Sequence, residues 1–232
     1  MPEHRVVRLD RLELALVPRR WPFADERRAE IDAYFARLRR DRPALFNGSV
    51  LLMHQWSLSD GVLRGAFLQT DFASYIAWRD WGFPDHTVRN CFAQAALQAA
   101  DGAYLLGVMG AHTAGAGNIY FPSGTPDPKD VTEREVDLHA SVVRELAEET
   151  GLGAADVAVS AGWHAVPVGP RIALMKPMRS PEPAALLRAR ILGYLAGQAV
   201  PELADIRIVR GPADLDPMMP SFIATYLTEM WA

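Results

Sequence analysis

DLHASVVRELAEETGL, residues 137–152, reads as one helix with both ends marked. Asp137 is the candidate N-cap, and Gly151 falls just past the last helical residue, where a left-handed cap favours glycine. Within the helix Glu145, Glu148 and Glu149 follow i, i+3, i+4 spacing, which sets three carboxylates on one face. Like charges so close repel one another and destabilise the helix unless something cationic sits among them. A hard divalent ion such as Mg2+ or Mn2+ suits an all-oxygen set of this kind. Arg144 precedes the cluster and is placed to hold one carboxylate through a forked ion pair. A solvated acidic helix face is the plain alternative.

Working outward, GNIYF is a short strand running into Pro122-Ser123-Gly124, and RIALMKPM and DIRIVR are further strands. PAALLRARILGYLAG and SFIATYLTEMWA read as helices. NCFAQAAL and AYLLGVMG suggest a hairpin turning at Asp101-Gly102. Nearer the start, ADERRAEIDAYFARLRRDRP reads as an amphipathic helix with Asp25 as N-cap. Ile31, Tyr34, Phe35 and Leu38 share its apolar face, and Pro43 ends it. FNGSVLLMHQW and GVLRGAFLQT form a second hairpin across Ser59-Asp60-Gly61, followed by a short helix bearing Trp78 and Trp81. Helices mixed with antiparallel hairpins predict an α+β fold or a mixed-sheet sandwich.

The 232 residues are half apolar and 22% charged, which argues against disorder. Cys91 is the lone cysteine, so neither an internal disulfide nor a cysteine-based zinc cluster is available. No polybasic tract and no apolar run long enough to span a bilayer appear, so neither nucleic acid nor a membrane is an expected partner. The opening MPEHRVVRLDRLE has no signal-peptide core, and a cytoplasmic protein is expected. The net charge of −4 is local: residues 127–149 hold eight acids against three bases, which leaves +1 for the other 209 residues.

The segment Arg144-Glu145-Leu146-Ala147-Glu148-Glu149-Thr150-Gly151-Leu152 resembles the core of the Nudix box, Arg-Glu-aliphatic-any-Glu-Glu-any-Gly-aliphatic, and agrees at all seven constrained positions. The approach through Gly117 and Phe121-Pro122-Ser123-Gly124 resembles the strand and glycine loop that enter that box. The upstream half departs from the pattern. Counting back from Arg144, the usual glutamate position is Val136 and the usual glycine position is Asp130. Gly124 then serves as the glycine, with about six extra residues in TPDPKDVTEREVD, and Ser123 stands where a first glycine is usual. Asp127 resembles the acid three residues after that glycine, and Glu135 or Asp137 replaces the missing glutamate.

The resemblance implies an α+β fold, an α/β/α sandwich with a mixed sheet. It places a Nudix domain at residues 87–232 and an N-terminal α/β extension or lobe at residues 1–86. It implies hydrolysis of a diphosphate linkage in a small nucleoside diphosphate derivative, with Mg2+ or Mn2+ activating water. Glu145 and Glu149 would then be metal ligands, Glu148 a ligand or the general base, and the backbone at Ser123 or Gly124 a further ligand. Arg144 joins the catalytic set, and Glu182 and Glu202 are loop candidates for the base. The absence of arginine from LLGVMGAHTAGAG counts against a coenzyme A substrate. The stretch from RPALFNG to IAWRDW resembles the N-terminal region of Nudix UDP-sugar pyrophosphatases, which points to a nucleotide sugar. Tyr75, Trp78 and Trp81 are the residues available to stack a base, with core packing as the alternative. Of the histidines, His139 and His164 lie nearest the expected site, and no spacing among them forms a metal site. A non-enzymatic nucleotide sensor on the same fold is the competing function, and a homodimer is left open.

Overall fold

In the computed structural model, which describes residues 4–232, two short strands come first, β1 (Val7–Leu9) and β2 (Arg11–Leu16). Helices α1 (Pro22–Glu26) and α2 (Arg28–Asp41) follow, then strands β3 (Ser49–Ser59) and β4 (Val62–Asp71) and helix α3 (Phe72–Asp80). Next are β5 (Asn90–Gln98), β6 (Tyr104–Met109), β7 (Ile119–Tyr120) and β8 (Ser123–Gly124). A 3-10 turn at Pro128–Asp130 leads to β9 (Val131–Thr132), β10 (Glu135–Val136) and α4 (Leu138–Thr150). The chain closes with β11 (Ala158–Val159), β12 (Trp163–Val168), β13 (Arg171–Arg179), α5 (Ala184–Ala196), β14 (Leu203–Val209) and α6 (Ser221–Trp231).

β5 explains the layering. It is buried from Asn90 to Leu97, so both of its faces need cover. Alternate residues Cys91, Ala93, Ala95 and Leu97 face one core, to which α4 gives Val142 and Leu146 and α5 gives Leu187 and Ile191. Phe92 and Ala96 face the other, with Phe222 and Tyr226 of α6. The strand belongs to a nine-stranded mixed sheet of order β1-β12-β13-β5-β6-β14, with β11 on β13, β8 on β5 and β7 on β6. β13 and β5 run parallel and the remaining pairs of this sheet are antiparallel. The result is the expected α+β sandwich with helices on both faces.

A second sheet has the order β3-β4-β2-β10-β9. Its Leu51, Met53, Leu63 and Phe67 join the core shared with α4, while Leu52 and Leu68 face α1–α3 and pack with Trp21, Ile31, Phe35 and Trp78. The N-terminal region and the rest of the chain exchange strands: β1 pairs with β12, and β10 pairs with β2. Residues 131–136, part of the extra segment before the box helix, therefore extend this second sheet.

Three local expectations need correction. The early helix is two helices, because Arg27 leaves helical geometry at φ −107, ψ 19. Asp25 is not its N-cap: Pro22, suited to a first helical turn, starts α1 after Trp21, and Asp25 pairs with Arg20 at 3.1 Å. The expected β5–β6 hairpin is paired only at Gln98–Tyr104; beyond that β8 pairs with β5 and β7 with β6. That opening brings Ser123 and Gly124 opposite Gln94 and Ala93, where they face the box helix.

Candidate active site

Both ends of α4 are fixed as the sequence suggests. The Asp137 carboxylate accepts the N–H groups of His139 and Ala140, each at 2.9 Å. Gly151 adopts the left-handed cap, φ 72 and ψ 7, and a Cβ there would overlap the Tyr194 ring. Leu138, Val142 and Leu146 bury one side of the helix, and the glutamate side meets β8. Glu149 is only 2% exposed; its Oε1 accepts the Ser123 N–H at 3.0 Å and its Oε2 has no partner. Glu145 lies against Gly124, where any Cβ would overlap its carboxylate. Glu148 stands at the rim with its side chain 60% exposed.

Arg144 ties this set together. Its Nη1 lies 2.8 Å from Glu145 Oε1 and 3.2 Å from Glu148 Oε2, and its Nη2 donates to Asp130 Oδ1 at 2.9 Å. Asp130 is buried and also accepts the Asp127 N–H at 3.0 Å, while Asp127 caps the 3-10 turn by accepting from Lys129. The extra segment thus places a carboxylate beneath Arg144 where the box pattern has glycine. Val136 is buried in the core, Glu135 is exposed on β10, and Asp137 is taken up by capping.

Burial dominates the electrostatics. It raises Glu145 to about 7, with Glu148 and Glu202 adding to the rise and Arg144 opposing it. Glu149 is raised well above the usual carboxylate range by burial and then by Glu202. Glu202 is raised too, chiefly by burial, with His112 opposing. Arg144 is raised as well, but toward its charged form: burial lowers it, and Asp130, Glu145 and Glu148 outweigh burial. Of the two loop candidates, Glu202 therefore joins the carboxylates, whereas Glu182 pairs with Arg190 at 2.7 Å. His139 is exposed on the first turn of α4, and His164 lies beside Tyr226 on β12.

Among the described residues no three His, Cys, Asp or Glu side chains already surround one point. Glu145 and Glu148 turn to Arg144, and Glu149 to Ser123. The donor set still fits a hard divalent ion. It consists of carboxylate oxygens that repel one another, one of them buried without a partner.

The site opens onto a cleft of about 770 Å³. Ser123, Gly124 and Glu202 form the wall shared with the glutamates of α4, which do not themselves line it. Tyr75, Arg79, Asn90 and Arg171 line it as well, with Phe46 exposed at its edge. Of the aromatic residues singled out from sequence, Tyr75 lines the cleft and accepts a hydrogen bond from Asn90 Nδ2 at 3.0 Å. Trp78 is fully buried and donates to the Asp85 carbonyl, and Trp81 packs under Arg27, 4.2 Å from its ring centroid. Neither tryptophan lines the cleft. Sequence reasoning gave no role to Asp130, Asn90, Arg79 or Arg171, because nothing in their local spacing marks one.

Fold and site together define an α+β protein with a carboxylate-bearing helix set against a glycine loop at the mouth of a large cleft. No family model matches the chain, and no curated protein does. Among solved structures it is similar to a Nudix hydrolase from M. smegmatis, RenU, at 21% identity over 59% of this chain and 79% of that one, TM-score 0.37. It is similar also to the MutT protein from Methanosarcina mazei Go1, at 15% identity, 60% and 90% coverage, TM-score 0.40. The E. coli ORF135 protein aligns at 22% identity, 62% and 91% coverage, TM-score 0.37.

Proposed function

We propose that this protein is a divalent-cation-dependent pyrophosphohydrolase of the Nudix type, acting on a small nucleoside diphosphate derivative, with a nucleotide sugar as the favoured class. The observation that carries this reading is Glu149, buried against the Ser123–Gly124 loop with one carboxylate oxygen satisfied and the other without a partner. Glu145, Glu149 and the backbone at Ser123 and Gly124 would hold the cation. When bound, Mg2+ or Mn2+ supplies positive charge to the diphosphate oxygens and lowers the pKa of water.

The chain's own residues do the positioning. The Ser123 N–H holds Glu149 Oε1, which leaves Oε2 buried and without a partner among the described residues. Asp130 anchors Arg144, and Arg144 in turn orients Glu145 and Glu148. Glu148 either joins the ligands or accepts the proton of the attacking water, and Glu202 is the second carboxylate available for that proton. Burial raises the proton affinity of Glu202 toward the range a general base needs.

A product screen with Mg2+ or Mn2+ over UDP-glucose, ADP-ribose, dinucleoside polyphosphates, NADH and coenzyme A tests the proposal. Turnover of at least one compound is expected, with UDP-glucose preferred to ADP-ribose. Comparing the pH–rate profiles of Glu148→Gln and Glu202→Gln identifies the base as the variant that loses the acidic limb. Tight binding of a compound without turnover would favour the sensor function instead.

A further inference from the structure

The cleft wall carries one guanidinium that no acid among the described residues balances, that of Arg171. Arg171, at the start of β13, has no hydrogen-bonding or acidic partner among the described residues, and its Nε is buried without one. Its guanidinium lies 5.5 Å from the Phe222 ring centroid and 5.9 Å from that of Phe83. These two rings fix it from the apolar side while leaving its donors free. Arg79 of α3 lines the same cleft and spends only part of its donor set, on Asp80 at 2.7 Å and the Ala114 carbonyl. Asn90, paired with Arg171 at the end of the β13–β5 ladder, keeps its Oδ1 unpartnered while its amide nitrogen donates to Tyr75. Burial pulls the Arg171 guanidinium below its usual value, with Tyr75 opposing and Arg79 adding to the effect. An arginine half-buried without an acidic partner, in a cleft that a second arginine also lines, is stabilised by an anion brought from outside.

We propose that Arg171 and Arg79 form an anion-binding subsite, so that the ligand of this cleft carries a second anionic group, a phosphomonoester or a carboxylate, remote from the diphosphate. This rests on the pyrophosphohydrolase reading for the diphosphate, but not for the anion. The planar fork of Arg171 suits either group bidentately, and its ring contacts limit the ordering needed on binding. The two sources are separable with matched ligands: NADPH against NADH for the phosphomonoester, and UDP-glucuronate against UDP-glucose for the carboxylate.

The experiment is calorimetric binding of the four ligands to the full chain without divalent cation, repeated with Arg171→Met and Arg171→Lys, alongside turnover with Mn2+. The expected result is a preference of roughly tenfold or more for the anionic member of one pair, falling to near unity in Arg171→Met and recovering in part in Arg171→Lys. Arg79→Gln, on a different element, is expected to weaken the same preference and serves if the Arg171 variants do not fold. Preference in binding without turnover of any of the four supports the subsite and favours the sensor function over the hydrolase reading. Turnover with no preference in either pair, no binding of any of the four ligands, or a preference untouched by every variant overturns the subsite.

Discussion

Arg144, at the acidic end of the site beside the glutamates of α4, and Arg171, at its basic end in the cleft wall, are treated in opposite ways. Arg144 touches Asp130, Glu145 and Glu148, three acids for one guanidinium. Arg171 touches no acid among the described residues and rests on two aromatic rings. At the first end carboxylates are in excess, and burial raises Glu145, Glu149 and Glu202. At the second end guanidinium is in excess. Opposite charges at contact are worth several kcal/mol even at an effective dielectric near 20, so a fold does not keep unpaired charge at both ends without a cost in stability. The difference separates a positioning arginine, already satisfied, from one left to bind. On the two proposals above, it also gives the cleft a polarity, with the cation at the glutamate end and the anionic group at the other.

The largest expected effect breaks the acidic end. Glu148→Gln combined with Glu149→Gln should lower turnover by about a thousandfold or more, read as product release with saturating Mn2+. The amide introduced by Glu149→Gln keeps an oxygen for the Ser123 N–H, so the cation-free protein should hold its melting temperature or gain a few degrees from loss of a buried charge. Undiminished turnover would remove these glutamates from the chemistry. Next comes Arg144→Ala, which strands buried Asp130 with only the Asp127 N–H as partner. A stability loss of about 3 kcal/mol is expected in urea denaturation, with Arg144→Lys recovering part of it. A loss under about 0.5 kcal/mol would show that Arg144 is not the clamp.

The acidic end was legible in the sequence and the basic end was not, for a physical reason. α4 announces itself locally: Asp137 and Gly151 mark its ends, and the three glutamates share a face by spacing alone. Arg79 and Arg171 come from elements far apart in the chain and line one cleft only because α3 and the start of β13 both border it. Tyr75 and Trp78 are one helical turn apart, yet only Tyr75 reaches the cleft; which side of α3 faces it is decided by packing on β3 and β4. Arg11–Leu16 is a strand whose apolar residues alternate at Leu12, Leu14 and Leu16, a period-2 signal hidden by its charged partners. The break at Arg27 has no comparable signal, since ADERRAEID keeps helical periodicity through it. Asp130 falls at a box position where glycine is usual, so its role emerges only once the extra segment is folded under Arg144.

The pH response sharpens the comparison with a smaller effect. Glu145 sits at about 7 in the folded protein against an ordinary 4.5. Raised in the fold, this carboxyl contributes stability that is fully present below about pH 4.5 and is lost as pH rises through 7; the loss is up to about 3 kcal/mol. Glu149 and Glu202 act in the same direction, whereas His54 and His164, lowered by burial, act against the three carboxyls. The cation-free protein should therefore melt lower at pH 8 than at pH 5. Adding Mg2+ at pH 8 should recover the loss, and Glu145→Gln should make the difference smaller. A melting temperature that rises between pH 5 and pH 8 in the presence of a chelator would contradict the assigned burial.

The smallest effect belongs to the basic end. Tyr75→Phe removes the hydroxyl that accepts from Asn90 Nδ2 and leaves ring packing intact. Asn90 is buried at the cleft wall, so the amide left without its acceptor should lower stability by about 1 kcal/mol, the low end for a lost buried partner. The freed amide, however, is no longer oriented beside Arg171. The loss should therefore appear in ligand affinity, as a rise in KM of several fold that exceeds any fall in kcat. Trp78→Phe provides the contrast. Its indole is fully buried, donates to the Asp85 carbonyl and does not line the cleft, so its cost should be in folding stability with KM little changed. If Tyr75→Phe and Trp78→Phe instead shift stability and KM in the same proportion, the two sides of α3 are not functionally distinct, and Tyr75 is a core residue like its neighbour.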